Sequence, residues 1–162
     1  IRDHIKQNNN FLICSCDCFG LFDQESFKNK IKSNYYDILC FGFQPSLVQK
    51  QSKSNYSTLR AEKEKVKKIF VKKIDSEKDF GLAGFFWIKN GETFYRNLFN
   101  FSKKNKSKKR EIIIDDLIQY CIQSKSKVGI IELNSYIHLG TPDELKEYLY
   151  WSENYPSLIN LN

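Results

Sequence analysis

The order of apolar segments along the chain predicts an α/β protein with a mainly parallel mixed sheet and helices on its faces. Short apolar runs of strand length alternate with segments of helical periodicity, and no internal repeat breaks that order. The composition agrees, because 41% hydrophobic and 28% charged residues in a chain of 162 provide one core and a polar surface. We therefore predict a single domain across residues 1–162.

Apolar runs bounded by turn residues mark the strands, and apolar stripes of helical spacing mark the helices. Strands are predicted at residues 11–16, 36–43, 56–60, 66–71, 82–88 and 128–133. One helix is predicted to end near residue 10, and a second is predicted to begin at Asp23. Three further helices are predicted at residues 92–101, 112–123 and 141–151.

The clearest helix boundary lies at Thr141. Thr141 can cap the helix, Pro142 fits the first helical position, and Glu144 completes a capping box. This start therefore needs no functional explanation.

The net charge of +7 raises the question of nucleic-acid binding. Six of the eight residues in 103–110 are basic, so much of the excess is local. No aromatic residue interrupts that run to stack on bases, which favours a solvated loop over a nucleic-acid interface.

Membrane and export signals are missing from this sequence. No apolar run approaches the roughly 20 residues of a membrane span, and residues 1–10 lack the apolar segment of a signal peptide.

Cys14, Cys16 and Cys18 alternate along a predicted strand, a pattern that favours buried core thiols over a zinc site. We expect a soluble, cytoplasmic protein in a reducing compartment.

Asp17 is the first candidate for chemistry. It follows an apolar strand directly, and a carboxylate at a strand end suits a hard cation such as Mg²⁺, although it can equally cap a helix or close a turn. The predicted loop 134–140 also follows a strand, and ligands in α/β folds gather at such ends. Asp17 and this loop are therefore candidates for one site.

Four stretches together resemble the sugar-phosphate nucleotidyltransferases, the NDP-sugar pyrophosphorylases among them. In order they are FLICSCDCFGLF (11–22), VKKIFVKK (66–73), GFFWIKNGETF (84–94) and IIELNSYIHLGTPDELKEYL (130–149). The resemblance implies an incomplete, Rossmann-like nucleotidyltransferase fold, since it covers only the later part of that family's domain. The family's glycine-rich loop has no counterpart here, and we expect a preceding portion that carries it.

The resemblance assigns roles to individual residues. It makes Asp17 a magnesium ligand, Lys72 the lysine that neutralises a phosphate, Gly84 the glycine lying against the sugar, and Glu111 a contact to sugar hydroxyls. Val71 stands where the family has a glutamate beside the lysine. Lys72 is otherwise an exposed lysine, Gly84 a bulge glycine, and Glu111 a first-turn helix carboxylate.

The second metal ligand is where this sequence departs from the family. Many relatives have an aspartate two positions before the glycine of the closing motif, and here His138 precedes Gly140 at that spacing. Imidazole is a softer ligand than Mg²⁺ prefers, and the amide oxygen of Asn134 is a second candidate. The sequence leaves both open.

The resemblance implies an enzyme that joins a nucleoside triphosphate and a sugar-1-phosphate into an NDP-sugar and pyrophosphate, with Mg²⁺ as cofactor. Nucleotide-sugar supply for polysaccharide biosynthesis would be its setting, with no membrane partner. We expect this stretch to be inactive by itself. A catalytically degenerate binding module remains the main alternative, and a basic nucleic-acid-binding protein the lesser one.

Overall fold

The computed structural model describes residues 9–46, 56–105 and 113–155. The strands are β1 Phe11–Ile13, β2 Cys18–Phe22, β3 Ile38–Phe43, β4 Thr58–Glu62, β5 Lys65–Phe70, β6 Phe80–Ile88 and β7 Val128–His138. The helices are α1 Gln24–Lys32, α2 Gly91–Lys104, α3 Ile114–Gln123 and α4 Pro142–Asn154. None of these four helices is long and apolar enough to cross a bilayer. Residues 1–8 of the helix predicted to end near residue 10 lie outside the described residues, and so does most of the basic run.

The α/β class with a mixed sheet is confirmed. The strand order is β1-β6-β3-β7-β5-β4, and β2 pairs with the C-terminal half of β7. Because β4 also pairs with β6, the sheet curls into a closed, barrel-like arrangement. Parallel pairing is less extensive than predicted: within the described residues only β3 and β7 are parallel. A tight turn accounts for the antiparallel pairing of β4 with β5, whereas the antiparallel pairs β1–β6 and β3–β6 join strands that are distant in the sequence.

The core lies on both faces of β3. Ile38 and Cys40 point to one face, where α2 and α3 pack, and Leu39 and Phe41 point to the other, where α1 packs through Phe27 and Ile31. This alternation follows from the two-residue period of a strand. The predicted placing of helices on both faces of the sheet is confirmed.

Both predicted helix caps are present. The Asp23 carboxylate accepts hydrogen bonds from the backbone of Glu25 and Ser26 at the start of α1. Thr141 and Glu144 form the reciprocal capping box of α4, with Pro142 at its first position. Local sequence signals therefore fix these two helix starts.

The prediction of three core thiols was wrong. Cys14 and Cys16 are exposed and Cys18 is half-buried, because the regular pairing with β6 ends at Ile13 and pairing with β7 begins at Cys18. A segment that changes its partner strand does not keep one face inward.

Strand β7 is longer than predicted. It continues through the expected loop to His138, because β2 supplies hydrogen-bond partners for its second half. The register shifts where Leu21 and Phe22 face Ser135 and Leu133, so that Asn134 lies at a bulge. The connection before α4 is correspondingly short.

Candidate functional site

Three chain segments meet at one edge of the sheet: the β1–β2 connection, the end of β7 and the start of α4. Cys18 pairs with His138 in the β2–β7 ladder, so Asp17 lies beside the last residue of β7. The Leu139 backbone N–H donates to the Asp17 carbonyl oxygen at 2.8 Å, which holds the two connections together. Backbone pairing thus brings together Asp17 and the predicted 138–140 segment.

The Asp17 carboxylate is held in its ionised form. The Ser15 hydroxyl donates to Asp17 Oδ1, and this hydrogen bond lowers the pKa of Asp17 against the opposing effect of partial burial. A positive charge on the nearby His138 imidazole, when it is protonated, lowers it further. Asp17 therefore presents a negative charge at neutral pH, with 45% of its side chain exposed.

His138 lies between two carboxylates. Its Nδ1 is 2.8 Å from Glu144 Oε2, a hydrogen-bond distance. Its Nε2 is 3.9 Å from Asp17 Oδ2, too far for a hydrogen bond but close enough for a charge interaction. The imidazole thus has one nitrogen fixed and the other facing Asp17.

Glu144 is fixed by the capping box of α4. Its Oε2 accepts from the Thr141 N–H at 3.0 Å and from the Thr141 hydroxyl at 2.7 Å. Partial burial acts to raise the pKa of Glu144, but the hydrogen bonds from Thr141 and His138 outweigh it and lower the pKa. The Glu144 carboxylate that lies at hydrogen-bond distance from His138 Nδ1 is therefore ionised.

Two glycines leave room at this edge. A Cβ on Gly140 would lie 2.6 Å from His138 Cε1 and 2.9 Å from Asp17 Oδ2, so a side chain there would occupy the space between those two residues. Gly84 has a φ of +76°, which favours glycine, and its carbonyl oxygen accepts from the Ser15 N–H at 3.1 Å. Gly84 thus supports the connection that carries Asp17, and a contact with sugar stays a prediction.

Lys72 belongs to a second cluster. Its backbone N–H donates to the Ser57 hydroxyl at 3.0 Å, and that hydroxyl donates to Asp115 Oδ2 at 2.6 Å. Burial raises the pKa of Asp115, and the positive charge of Lys72 works against that rise. No contact within the described residues joins Lys72 to Asp17 or His138. Glu111, four positions before Asp115, lies outside the described residues.

Asn134 does not join Asp17. It precedes His138 by four residues, about 13 Å along a strand, and lines a separate cavity of about 330 Å³ with Phe43, Gln44, Ser46, Leu133, Ser135 and Tyr136. Tyr136 stacks on Phe43 at 4.1 Å and separates this cavity from His138. Of the two candidates for a second ligand, the structure brings only His138 to Asp17.

Sequence reasoning missed Ser15 and the second role of Glu144. The capping box identified Glu144 as a structural residue. The six-residue separation between His138 and Glu144 matches no known motif, so the contact between them could not be predicted. Ser15 had a weak signal, since a hydroxyl two positions from a carboxylate can hydrogen-bond to it in a turn. Both contacts depend on where the chain turns, which local sequence does not fix.

The donor set fits Mg²⁺ only in part. Asp17 offers the hard oxygen that Mg²⁺ prefers, whereas His138 offers an imidazole nitrogen typical of zinc and other transition metals. Across residues 9–46, 56–105 and 113–155, no group of three or more histidine, cysteine, aspartate or glutamate side chains is arranged to hold a metal. Any ion here would take its remaining ligands from water or substrate.

The structural neighbours of the chain are NDP-sugar pyrophosphorylases and other nucleotidyltransferases. The nucleoside-diphosphate-sugar pyrophosphorylase from Vibrio cholerae RC9 matches with a TM-score of 0.69 and 19% identity over 92% of this chain and 59% of that one. The inositol-1-phosphate CTP transferase from T. maritima matches at 0.63 and 17%, over 89% and 54% of the two chains. UDP-glucose pyrophosphorylase complexed with UDP-glucose matches at 0.67 and 15%, over 94% and 60%.

These likenesses establish the fold. The predicted nucleotidyltransferase fold is confirmed, and the chain spans between 54% and 60% of the length of these three structures. No protein-family model and no curated protein matches the sequence.

Proposed function

We propose that the chain is the later part of a nucleotidyltransferase domain that joins a nucleoside triphosphate and a sugar-1-phosphate into an NDP-sugar and pyrophosphate. One observation carries this proposal: an ionised Asp17 stands beside His138 and Gly140 at an edge of a nucleotidyltransferase fold. The order of the four resembling stretches supports it.

Each predicted site residue keeps a role in the proposal. Asp17 would hold the divalent cation, Mg²⁺ as the resemblance implies, and such a cation neutralises phosphate charge when bound. Gly84 would keep the Asp17 connection in place through its hydrogen bond with the Ser15 N–H and, as the resemblance implies, would lie against the sugar. Lys72 would act from the second cluster on the phosphate, and Glu111, as the resemblance implies, would contact the sugar hydroxyls.

The reaction needs positioning more than acid–base chemistry. A phosphate oxygen of the sugar-1-phosphate attacks the α-phosphorus of the nucleotide, and the bond to the leaving pyrophosphate breaks. Both reactants are anions and the attacking oxygen is already deprotonated, so a general base is unnecessary. Orientation and positive charge are therefore what the protein must supply, and Lys72 is the residue of this chain that would supply charge.

Turnover is proposed to require the preceding part of the domain, with its glycine-rich phosphate loop. We propose a cytoplasmic location and a role in nucleotide-sugar supply for polysaccharide biosynthesis. Free cysteines, five in all, suit that compartment. Reading the gene upstream of the codon for Ile1 tests this part, since a loop rich in glycine with an arginine and a lysine is expected there.

The activity test uses the product of the complete gene with glucose-1-phosphate and each of the common nucleoside triphosphates. Pyrophosphate release is expected for the wild-type protein, and Asp17→Ala should reduce it at least a hundredfold because the cation loses its carboxylate. Asp143→Ala is the matched control, since this acid near the site is 97% exposed and should leave the rate unchanged. Equal rates for wild type and Asp17→Ala would contradict the proposal.

A degenerate binding module is the second candidate, favoured by the histidine that stands where the family has an acid. Such a protein would bind a sugar-1-phosphate or an NDP-sugar in calorimetry and release no pyrophosphate. Nucleic-acid binding would instead weaken steeply as salt rises and would not depend on Asp17.

A further inference from the structure

His138 is the most unusual group at this edge, because ionised carboxylates approach both of its nitrogens. Glu144 Oε2 is 2.8 Å from Nδ1, and Asp17 Oδ2 is 3.9 Å from Nε2. Glu144 and Asp17 together carry two negative charges, whereas a neutral imidazole carries none. The edge therefore attracts a cation.

The partner on Nδ1 fixes the tautomer of a neutral His138. An ionised carboxylate only accepts hydrogen bonds, so Nδ1 carries the proton and donates to Glu144. Nε2 then carries a lone pair and lies 3.9 Å from Asp17 Oδ2. A carboxylate–histidine pair of this kind orients the imidazole for a metal on its second nitrogen.

The spacing of the two donor atoms suits one shared ion. Ligands bound at about 2.0–2.2 Å to a tetrahedral ion lie about 3.3–3.5 Å apart. Asp17 Oδ2 and His138 Nε2 are 3.9 Å apart, and both side chains are more than a third exposed, so small side-chain rotations close the gap. Gly140 keeps the adjacent space open, because a Cβ there would contact both residues.

We propose that Asp17 and His138 bind a borderline transition-metal ion of the Zn²⁺ type in preference to Mg²⁺, with Glu144 as the positioning residue of His138. An imidazole nitrogen adds little to Mg²⁺ affinity but favours Zn²⁺ and Co²⁺. Among the described residues Asp17 and His138 are the two that would bind the ion directly, so the remaining positions would be taken by water or phosphate oxygens. This inference rests on the metal-binding part of the proposed function and not on nucleotidyl transfer.

Calorimetry with Zn²⁺, Co²⁺ and Mg²⁺ on the 162-residue chain tests the inference. The exposed thiols of Cys14 and Cys16 would bind Zn²⁺ themselves, so every protein carries Cys14→Ser and Cys16→Ser, and circular dichroism confirms the fold of each. We expect Zn²⁺ and Co²⁺ to bind at least tenfold more tightly than Mg²⁺. Equal or tighter binding of Mg²⁺, or no binding of Zn²⁺ and Co²⁺, would overturn the proposal.

Substitutions distinguish the role of the metal ligand His138 from that of Glu144, which positions it. His138→Ala should abolish Zn²⁺ binding, and Gly140→Ala should do so by filling the space between the ligands. Glu144→Gln keeps the capping box but loses the carboxylate charge, and it should weaken Zn²⁺ binding roughly 10–100-fold. Glu147→Gln, an exposed acid on the same helix, is the matched control and should have no effect.

One exchange reverses the preference. His138→Asp replaces nitrogen by oxygen and should weaken Zn²⁺ binding while strengthening Mg²⁺ binding at least tenfold. If His138→Ala binds Zn²⁺ as tightly as the parent, the imidazole only bridges two carboxylates and the inference is overturned. Zn²⁺ binding without pyrophosphate release from the complete gene product would refute the proposed function alone, and release with Mg²⁺ without Zn²⁺ binding would refute this inference alone.

Discussion

The two halves of β7 are continuous in the chain and opposite in character. Residues 128–131 are all buried and pair in parallel with β3, with core side chains on both faces. Residues 134–138 are exposed or half-buried and pair with β2. The first half holds the sheet together, and the second half carries a polar edge out of the core to meet Asp17.

This difference separates stability from chemistry along a single strand. Burial on both faces explains why the first half is a continuous apolar run, as is typical of a parallel strand. The second half tolerates Ser135 and His138 because water reaches it. We therefore expect substitutions in the core half to change folding and substitutions in the edge half to change binding.

Thiol labelling should give the largest contrast between core and edge. Cys40 and Cys121 are buried in the core, and burial raises the pKa of Cys121 to about 11, so that both are unreactive thiols. Exposed Cys14 and Cys16 lie in the connection that carries Asp17. In the native protein Cys14 and Cys16 should react with a maleimide roughly a thousandfold or more faster, since labelling of the core requires opening.

Mass spectrometry of peptides over a time course measures these labelling rates. Similar rates at all four sites would show that the core opens easily and would contradict the division between core and edge. Labelling in denaturant is the control, because every thiol is then accessible.

Two isoleucines of β7 test the difference between its buried and exposed halves through the free energy of unfolding. Ile130 is 1% exposed in the first half, and Ile137 is half-buried in the second. Ile130→Ala should lower the free energy of unfolding by about 2–5 kcal/mol, because it leaves a cavity in a packed core. Ile137→Ala should lower it by about 1 kcal/mol or less. Urea denaturation measures both, and equal losses would refute the contrast.

The first half of β7 and the starts of two helices were predictable from sequence. The strand at residues 128–133, the Asp23 cap and the Thr141 capping box are local signals, and each is present. Local propensity and pattern decide such features, because their partners lie within a few residues.

The edge half depends on contacts distant in sequence, and there prediction was weaker. The extension of β7 to His138 needs β2, more than a hundred residues earlier, as its partner. The exposure of Cys14 and Cys16 has the same origin, since the chain moves from β6 to β7 between Ile13 and Cys18. Asp17 and His138 were each predicted from sequence, but their 3.9 Å separation follows from this pairing alone.

Removal of the α4 cap should have a moderate effect on stability. Thr141→Ala removes the hydroxyl that accepts from the Glu144 N–H and donates to its carboxylate. The free energy of unfolding should fall by about 1 kcal/mol, as is usual for loss of an N-cap side chain. Thr141→Ser keeps the hydroxyl and is the control. A loss above about 3 kcal/mol in chemical denaturation would mean that α4 belongs to the core and not to the edge.

The smallest effect should be the loss of the Asp17 contribution to the free energy of unfolding at acid pH. The pKa of Asp17 is lowered below its ordinary value of 3.8 in the folded protein, mainly by the Ser15 hydrogen bond. Its ionised form therefore stabilises the fold at pH values above 3.8, and this contribution is lost as the pH falls through the lowered pKa.

Because Asp17 is largely exposed, its contribution should be only a few tenths of a kcal/mol. Asp17→Asn should be slightly less stable than wild type at pH 7 in urea denaturation, and the two proteins should converge as the pH falls below 3.8. Asp143→Asn, at an acid that is 97% exposed, should show little difference at either pH. A gap between wild type and Asp17→Asn that widens in acid would mean that Ser15 stabilises the protonated carboxyl instead, which would remove the fixed negative charge on which the cation site depends.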